Sequence, residues 1–139
     1  LVISHRDCDP KNVLWNRDSQ YYIIDWESAG LINKTKDLLV TAIYWSFNSD
    51  YQVDFHRLEL FLKTYRQHVA INTSEVTAAL YGLLNDWLGW LDFNLTRILQ
   101  LSSENEEYLL GIAEAKNTLN ALPILIEQFP RIIAAVKDI

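Results

Sequence analysis

Three side chains near the start of the chain have types and spacing suited to moving a phosphoryl group: Asp7, Asn12 and Asp25. Such a transfer needs an acceptor for the incoming hydroxyl's proton, held in line with the terminal phosphate. It also needs hard oxygen ligands that keep Mg²⁺ against the phosphates. Asp7 lies in SHRDCDPKNVLWN (Ser4–Asn16), where charge and polarity crowd from His5 to Asn12 before an apolar run. Asp25 lies in YYIIDW (Tyr21–Trp26), a second apolar run. Cys8 has no activating base beside it in sequence, so a thiolate nucleophile is not expected. Lys11 reads as a surface charge and Arg6 as structural.

The elements that must position these groups follow from local pattern. Pro10 bars a helix through the charged stretch and biases Asp9 to extended backbone. Asn12–Asn16 reads as a short strand, Asn16–Gln20 as a polar turn, and Tyr21–Trp26 as the returning strand. Pairing of 13–16 with 21–24 would leave Asn12 and Asp25 flanking the same open end of the ribbon. Gly30 is expected in a loop running through Lys36. Beyond it the hydrophobic period changes from that of a strand to that of a helix. The spacing predicts helices over Asp37–Phe47, Tyr51–Val69, and about 74–99, with Thr73 or Ser74 as N-cap of the last. Ser102–Glu107 opens a further helix with acidic residues in its first turn, where the helix dipole favours them. Pro123 is predicted to interrupt it and Pro130 to set off a final short helix. His56 and His68 fall within a helix as bystanders.

Composition narrows the class. Of 139 residues, 50% are hydrophobic and 12% aromatic, enough for a sizeable core and against disorder. The net charge of −6 argues against nucleic acid or an anionic membrane as partner and suits a cationic small molecule. One cysteine excludes an internal disulfide. No apolar run reaches the roughly 18 uncharged residues of a membrane span. With no secretory or lipidation pattern, the chain is expected in the cytoplasm, and the N-x-[ST] sequons at Asn33, Asn72 and Asn94 are expected to be chance matches.

One helix carries a second candidate site, NDWLGWLDFNLTR. Its aromatic residues fit a plain core. Asp86, Trp90 and Asn94 also share one face at i, i+4, i+8. A carboxylate and a ring on one face suit an ammonium group, by charge and by cation–π attraction. Asp86 and Trp90 are therefore candidate acceptor-binding residues.

His5-Arg6-Asp7 followed after four residues by Asn12 matches the kinase catalytic-loop pattern, in which the aspartate is the base and the asparagine a magnesium ligand. SHRDCDPKNVLWN, then YYIIDWESAG and KDLLVTA, resembles the C-terminal lobe of the aminoglycoside phosphotransferase and choline kinase-like family, which shares the protein kinase fold. The motif likeness covers residues 1 to about 42. Ile24-Asp25-Trp26-Glu27 stands where protein kinases carry Asp-Phe-Gly, and Asp9 stands where they carry a lysine. Both differences imply a small-molecule acceptor rather than a protein.

The resemblance implies a fold that is mainly α with a small β-hairpin. Residues 1–35 would supply the catalytic loop, hairpin and metal-binding segment, and residues 36–139 the helical remainder of the same lobe. It implies Asp7 as catalytic base, Asn12 and Asp25 as Mg²⁺ ligands, ATP or GTP as phosphoryl donor, and His5 and Asp37 as structural support. Glu27 is either an orienter of metal-bound water or an exposed turn carboxylate. The acceptor would be a small-molecule hydroxyl, aminoglycoside-like or another cationic alcohol, with no nucleic-acid or membrane partner. The chain has no methionine and only four scattered glycines, so no glycine-rich phosphate loop can form. It is expected to be a lobe lacking its N-terminal nucleotide-binding partner, inactive alone, with the surface near Leu1 covered by that lobe or by a dimer partner. The alternatives are a non-catalytic kinase-like binding or scaffolding module and, third, a protein kinase.

Overall fold

The computed structural model describes residues 1–139. Strand β1 (Val2–Ser4) leads into the charged loop, a 3-10 turn (Pro10–Asn12), and the hairpin of β2 (Val13–Trp15) and β3 (Tyr21–Ile23). After a second 3-10 turn (Trp26–Ser28) comes β4 (Gly30–Ile32), then α1 (Lys34–Tyr44), α2 (Phe55–Arg66), α3 (Val76–Gln100) and α4 (Glu106–Lys137). The fold is mainly α with small antiparallel strand pairs, as the sequence implies.

The hairpin pairs Val13 with Ile23 and Trp15 with Tyr21. The loop expected at Gly30 is instead strand β4, antiparallel to β1 with Ser4 opposite Gly30 and Val2 opposite Ile32. A side chain at Gly30 would meet the Arg6 guanidinium, whose Nη1 lies 3.1 Å from the Cβ position. The bare backbone there lets Arg6 lie across the strand pair.

The helices bury one shared core. Leu39 and Ile43 of α1, Leu58 and Leu62 of α2, Leu80 and Leu83 of α3, and Leu125 and Ile132 of α4 are its fully buried leucines and isoleucines. Each such side chain contributes about 1.5–3 kcal/mol by leaving water. Short polar residues set the helix starts. Asn33 accepts from the Lys36 N–H, so α1 begins before the expected Asp37. Asp54 accepts from the N–H groups of His56 and Arg57, so α2 starts at Phe55 rather than Tyr51. Asn72, not Thr73 or Ser74, caps the 3-10 turn (Thr73–Glu75) that leads into α3. Asn105 caps α4.

Two of the sequon asparagines, Asn33 and Asn72, are thus N-caps, and Asn94 is fully buried, its Nδ2 donating to the Trp90 carbonyl at 2.8 Å.

Neither proline breaks α4. Pro123 and Pro130 both sit inside one continuous helix. Both are exposed, while Leu122, Leu125, Phe129, Ile132 and Val136 on the opposite side are packed into the core or its margin. Burial of that face outweighs two lost backbone hydrogen bonds, which fall on the solvent side. By length and composition α4 is the one helix apolar enough to cross a membrane. Of its most apolar stretch 33% is buried, and Leu109, Leu110, Leu119 and Ile126 of the same helix are exposed.

Candidate active site

The charged loop is held by hydrogen bonds from several elements. His5 is buried between the loop and the hairpin; its Nε2 donates to the Ile24 carbonyl at 2.8 Å, and its Nδ1 accepts from the Asp7 N–H at 3.3 Å. One tautomer, with the proton on Nε2, satisfies both contacts. The Trp26 ring packs edge-on against His5 at 4.7 Å, and Trp26 Nε1 donates to the Ile23 carbonyl at 2.8 Å. Trp45 on the far side donates to the Cys8 carbonyl at 2.8 Å. Asp9 caps the turn by accepting from the Lys11 N–H. The roles of Trp26 and Trp45 escape sequence reasoning: Trp26 is seen as part of a motif, and Trp45 sits 37 residues from its partner.

Asp7 and Asn12 come into direct contact. The Asn12 Nδ2 donates to the Asp7 carbonyl oxygen at 2.8 Å and to Asp7 Oδ2 at 2.9 Å. Asn12 is buried, whereas a third of the Asp7 side chain is open to solvent. Nδ2 is spent on Asp7, and neither Asp7 Oδ1 nor Asn12 Oδ1 takes part in a protein hydrogen bond. Asp25 stands at the same end of the ribbon, since the Ile24 N–H donates to the Asn12 carbonyl at 3.0 Å. Its carboxylate caps nothing and is exposed. The backbone at Arg6 (φ 67°) and Asp25 (φ 64°) is left-handed, which costs a residue with a Cβ about 1–2 kcal/mol. Both strained residues adjoin or belong to the site, turning the chain next to Asp7 and at the hairpin exit.

Asp37 is not drawn into that hydrogen-bond set. It occupies the first turn of α1, and its charge reaches Cys8 and Tyr65. Burial pushes the Cys8 thiol up, and the charges of Asp37, Asp9 and Asp7 add to the rise. The thiol stays protonated, in keeping with its exclusion as a nucleophile. Lys11 ion-pairs with Asp9 at 3.1 Å and approaches Asp7 at 3.8 Å. Burial pulls the Lys11 ammonium down, but its hydrogen bond to Asp9 and the charges of Asp9, Asp7 and Asp25 outweigh this, and the net shift is upward. Arg6 forms no ion pair and lies over Gly30.

Beside the loop opens a cavity of ≈ 500 Å³ between α1, α3, α4 and the charged stretch around Asp7. It brings together Asp7, Asp86 and Trp90, and adds Asp9, Tyr44 and Glu114. Asn12 and Asp25 do not line it. Tyr44 accepts from Trp87 Nε1 at 2.9 Å. Burial, partly offset by that bond and reinforced by the Asp86, Asp7 and Asp9 charges, pushes its hydroxyl up to about 12. It is therefore a neutral phenol over the physiological range. Asp86 is paired with Lys36 at 2.8 Å, and Trp90 donates to Glu114 Oε2 at 3.3 Å. Asn94, expected on the same face, does not line the cavity and is fully buried.

The donor set suits Mg²⁺. It is all oxygen: the unengaged Asn12 amide oxygen and the unpaired Asp25 carboxylate. No group of three or more His, Cys, Asp or Glu side chains forms a ready-made cage. Mg²⁺ ordinarily takes one or two carboxylates and completes its shell with water and phosphate oxygens.

No curated protein and no solved structure matches the chain. Residues 1–68 match the family described as Phosphotransferase enzyme family, a stretch reaching from β1 through α2 and containing the loop, hairpin and Asp37. Over those residues, just under half of its length, this chain is similar to the phosphotransferase enzymes, consistent with the aminoglycoside phosphotransferase-like motifs it carries.

Proposed function

We propose that these residues form the catalytic lobe of an ATP- or GTP-dependent phosphotransferase that moves the γ-phosphate to a hydroxyl of a small cationic molecule. The observation that carries this reading is the Asp7–Asn12 pair. One amide nitrogen bridges two Asp7 oxygens, fixing the carboxylate and leaving an oxygen on each residue for other partners. Asp7 Oδ1 would accept the hydrogen bond, and then the proton, of the acceptor hydroxyl. Asn12 and Asp25 would hold Mg²⁺, which when bound neutralises the charge on the transferred phosphoryl group. His5 keeps the loop and the hairpin exit in register through its two hydrogen bonds. The cavity's carboxylates and aromatic rings favour a cationic acceptor.

The reading involves no nucleic-acid or membrane partner and a cytoplasmic setting. The four glycines cannot form a phosphate-cradling loop, so that part is assigned to a nucleotide lobe outside these residues. It would cover Ile3 and Leu31, exposed on the β1–β4 pair, and Leu1 just before it. Phosphorus NMR of γ-phosphate transfer from Mg-ATP to hydroxylated amines and sugars tests the reading on the longest protein carrying these residues. Transfer is expected there and little from residues 1–139 alone. Absence of transfer to every acceptor class would contradict the first claim, and micromolar Mg-ATP affinity of residues 1–139 alone the second.

A further inference from the structure

Charge accounting inside the cavity singles out one residue. Four carboxylates line it: Asp7, Asp9, Asp86 and Glu114. Lys11 neutralises Asp9 at 3.1 Å and stands 3.8 Å from Asp7, which also accepts from Asn12. Lys36 neutralises Asp86, with Nζ 2.8 Å and 2.9 Å from its two oxygens. That pair is built in: the Lys36 stem lies on Gly82, where a Cβ would come within 3.1 Å of Lys36 Cδ. Glu114, half-buried on α4, has no cationic partner. Its one bonded neighbour is a neutral donor, Trp90 Nε1, at 3.3 Å.

We propose that Glu114, with the Trp90 ring beside it, is the residue that reads the acceptor's ammonium group, and that Asp86, the carboxylate singled out by spacing, serves as a neutralised wall. This rests on the phosphotransferase reading for its substrate class. An ammonium entering beside Asp7 meets a carboxylate already partly desolvated and lacking a counter-charge, and an aromatic ring adjoining it. At Asp86 the same ammonium would first have to displace Lys36. Glu114 therefore discriminates an amino alcohol from the alcohol of equal shape.

The test uses residues 1–139 and two probes of nearly equal size, 2-amino-1,3-propanediol in its protonated form and glycerol. Binding is followed at the Trp90 indole N–H by ¹H–¹⁵N NMR. The amine is expected to shift that resonance and glycerol to leave it in place. Glu114→Gln keeps an oxygen for the Trp90 N–H, so a purely structural role would survive it. The expected result is roughly tenfold weaker amine binding, the scale of losing one hydrogen bond to a charged group. Lys36→Met, which frees Asp86, is expected to tighten amine binding. Equal amine affinity in wild type and Glu114→Gln, or no response to the amine at all, would overturn the proposal and leave the transfer chemistry of Asp7 untouched. Selective amine binding through Glu114 with no phosphoryl transfer in the experiment above would sink the phosphotransferase reading instead and leave the ammonium site standing.

Discussion

At the scale of single residues, the site depends on which oxygens are engaged and which are free. Asp7→Asn keeps the size of the side chain and removes its ability to take a proton. Turnover by the longest protein carrying these residues should fall about 10²- to 10⁴-fold with an unchanged circular dichroism spectrum; an unchanged kcat would exclude Asp7 as the base. Asn12→Ala has a different signature, because it strips a donor from two Asp7 oxygens at once. A stability loss of about 1–3 kcal/mol by urea titration is expected alongside lost activity. Cys8 offers a reading of the local field. Its thiol, raised first by burial and then by Asp37, should alkylate more slowly than free cysteine near neutral pH, and Asp37→Asn should speed it modestly. An alkylation rate matching free cysteine would show the loop to be open. At this scale the sequence was informative where residues are neighbours in the chain: the spacing of His5, Asp7 and Asn12 was visible because one loop carries all three. Glu114 was not, because its importance comes from the absence of a counter-charge, set by Lys11 and Lys36 on other elements.

At the scale of elements, the hairpin was legible from two β-branched and aromatic runs around a polar turn. Strand β4 was not. Three residues, Gly30–Ile32, are too few to show a period, and the partner Val2–Ser4 lies far back in the chain. The prolines misled for a physical reason. Local propensity ends a helix at Pro123, but tertiary burial of Leu125, Phe129 and Ile132 carries α4 through. Pro123→Ala should restore a hydrogen bond on the exposed face and stabilise the chain by about 1–3 kcal/mol in urea. Destabilisation would mean that α4 needs its proline-induced shape. A second element-level tie is Gln128 of α4. Its Oε1 accepts from the Val53 N–H at 2.6 Å, and its Nε2 donates to the Tyr51 carbonyl at 3.1 Å. Tyr51 lines the cavity, so this one side chain fixes part of the cavity wall to the longest helix.

At the scale of the whole molecule, the start of α1 is fastened to the turn before α3 by Glu75, which accepts from Asn33 Nδ2 at 3.1 Å and Thr35 Oγ1 at 2.9 Å. Those bonds, first Asn33 and then Thr35, hold its carboxyl below the usual 4.5. A carboxyl depressed in the folded state stabilises above its unfolded value and loses that contribution as pH falls through the folded one. Stability should therefore decline on acidification below about 4.5, and Glu75→Gln should flatten that limb of the curve. Parallel acid profiles of wild type and Glu75→Gln would contradict this. The general architecture, helices with a small β element at the front, was readable from the change of hydrophobic period. The way the helices close a cavity over Asp7 was not, since it depends on contacts between α1, α3 and α4 that no local pattern encodes.

The proposal that Asn12 and Asp25 hold one divalent cation beside Asp7 is open to direct measurement. Mn²⁺, a paramagnetic stand-in for Mg²⁺, can be titrated in the presence of ATP into ¹⁵N-labelled chain. The backbone signals of residues 7, 12 and 25 should broaden first, and Asp25→Asn should abolish the effect at all three. Broadening that begins elsewhere, or that spares any of the three, would contradict a shared metal–phosphate site.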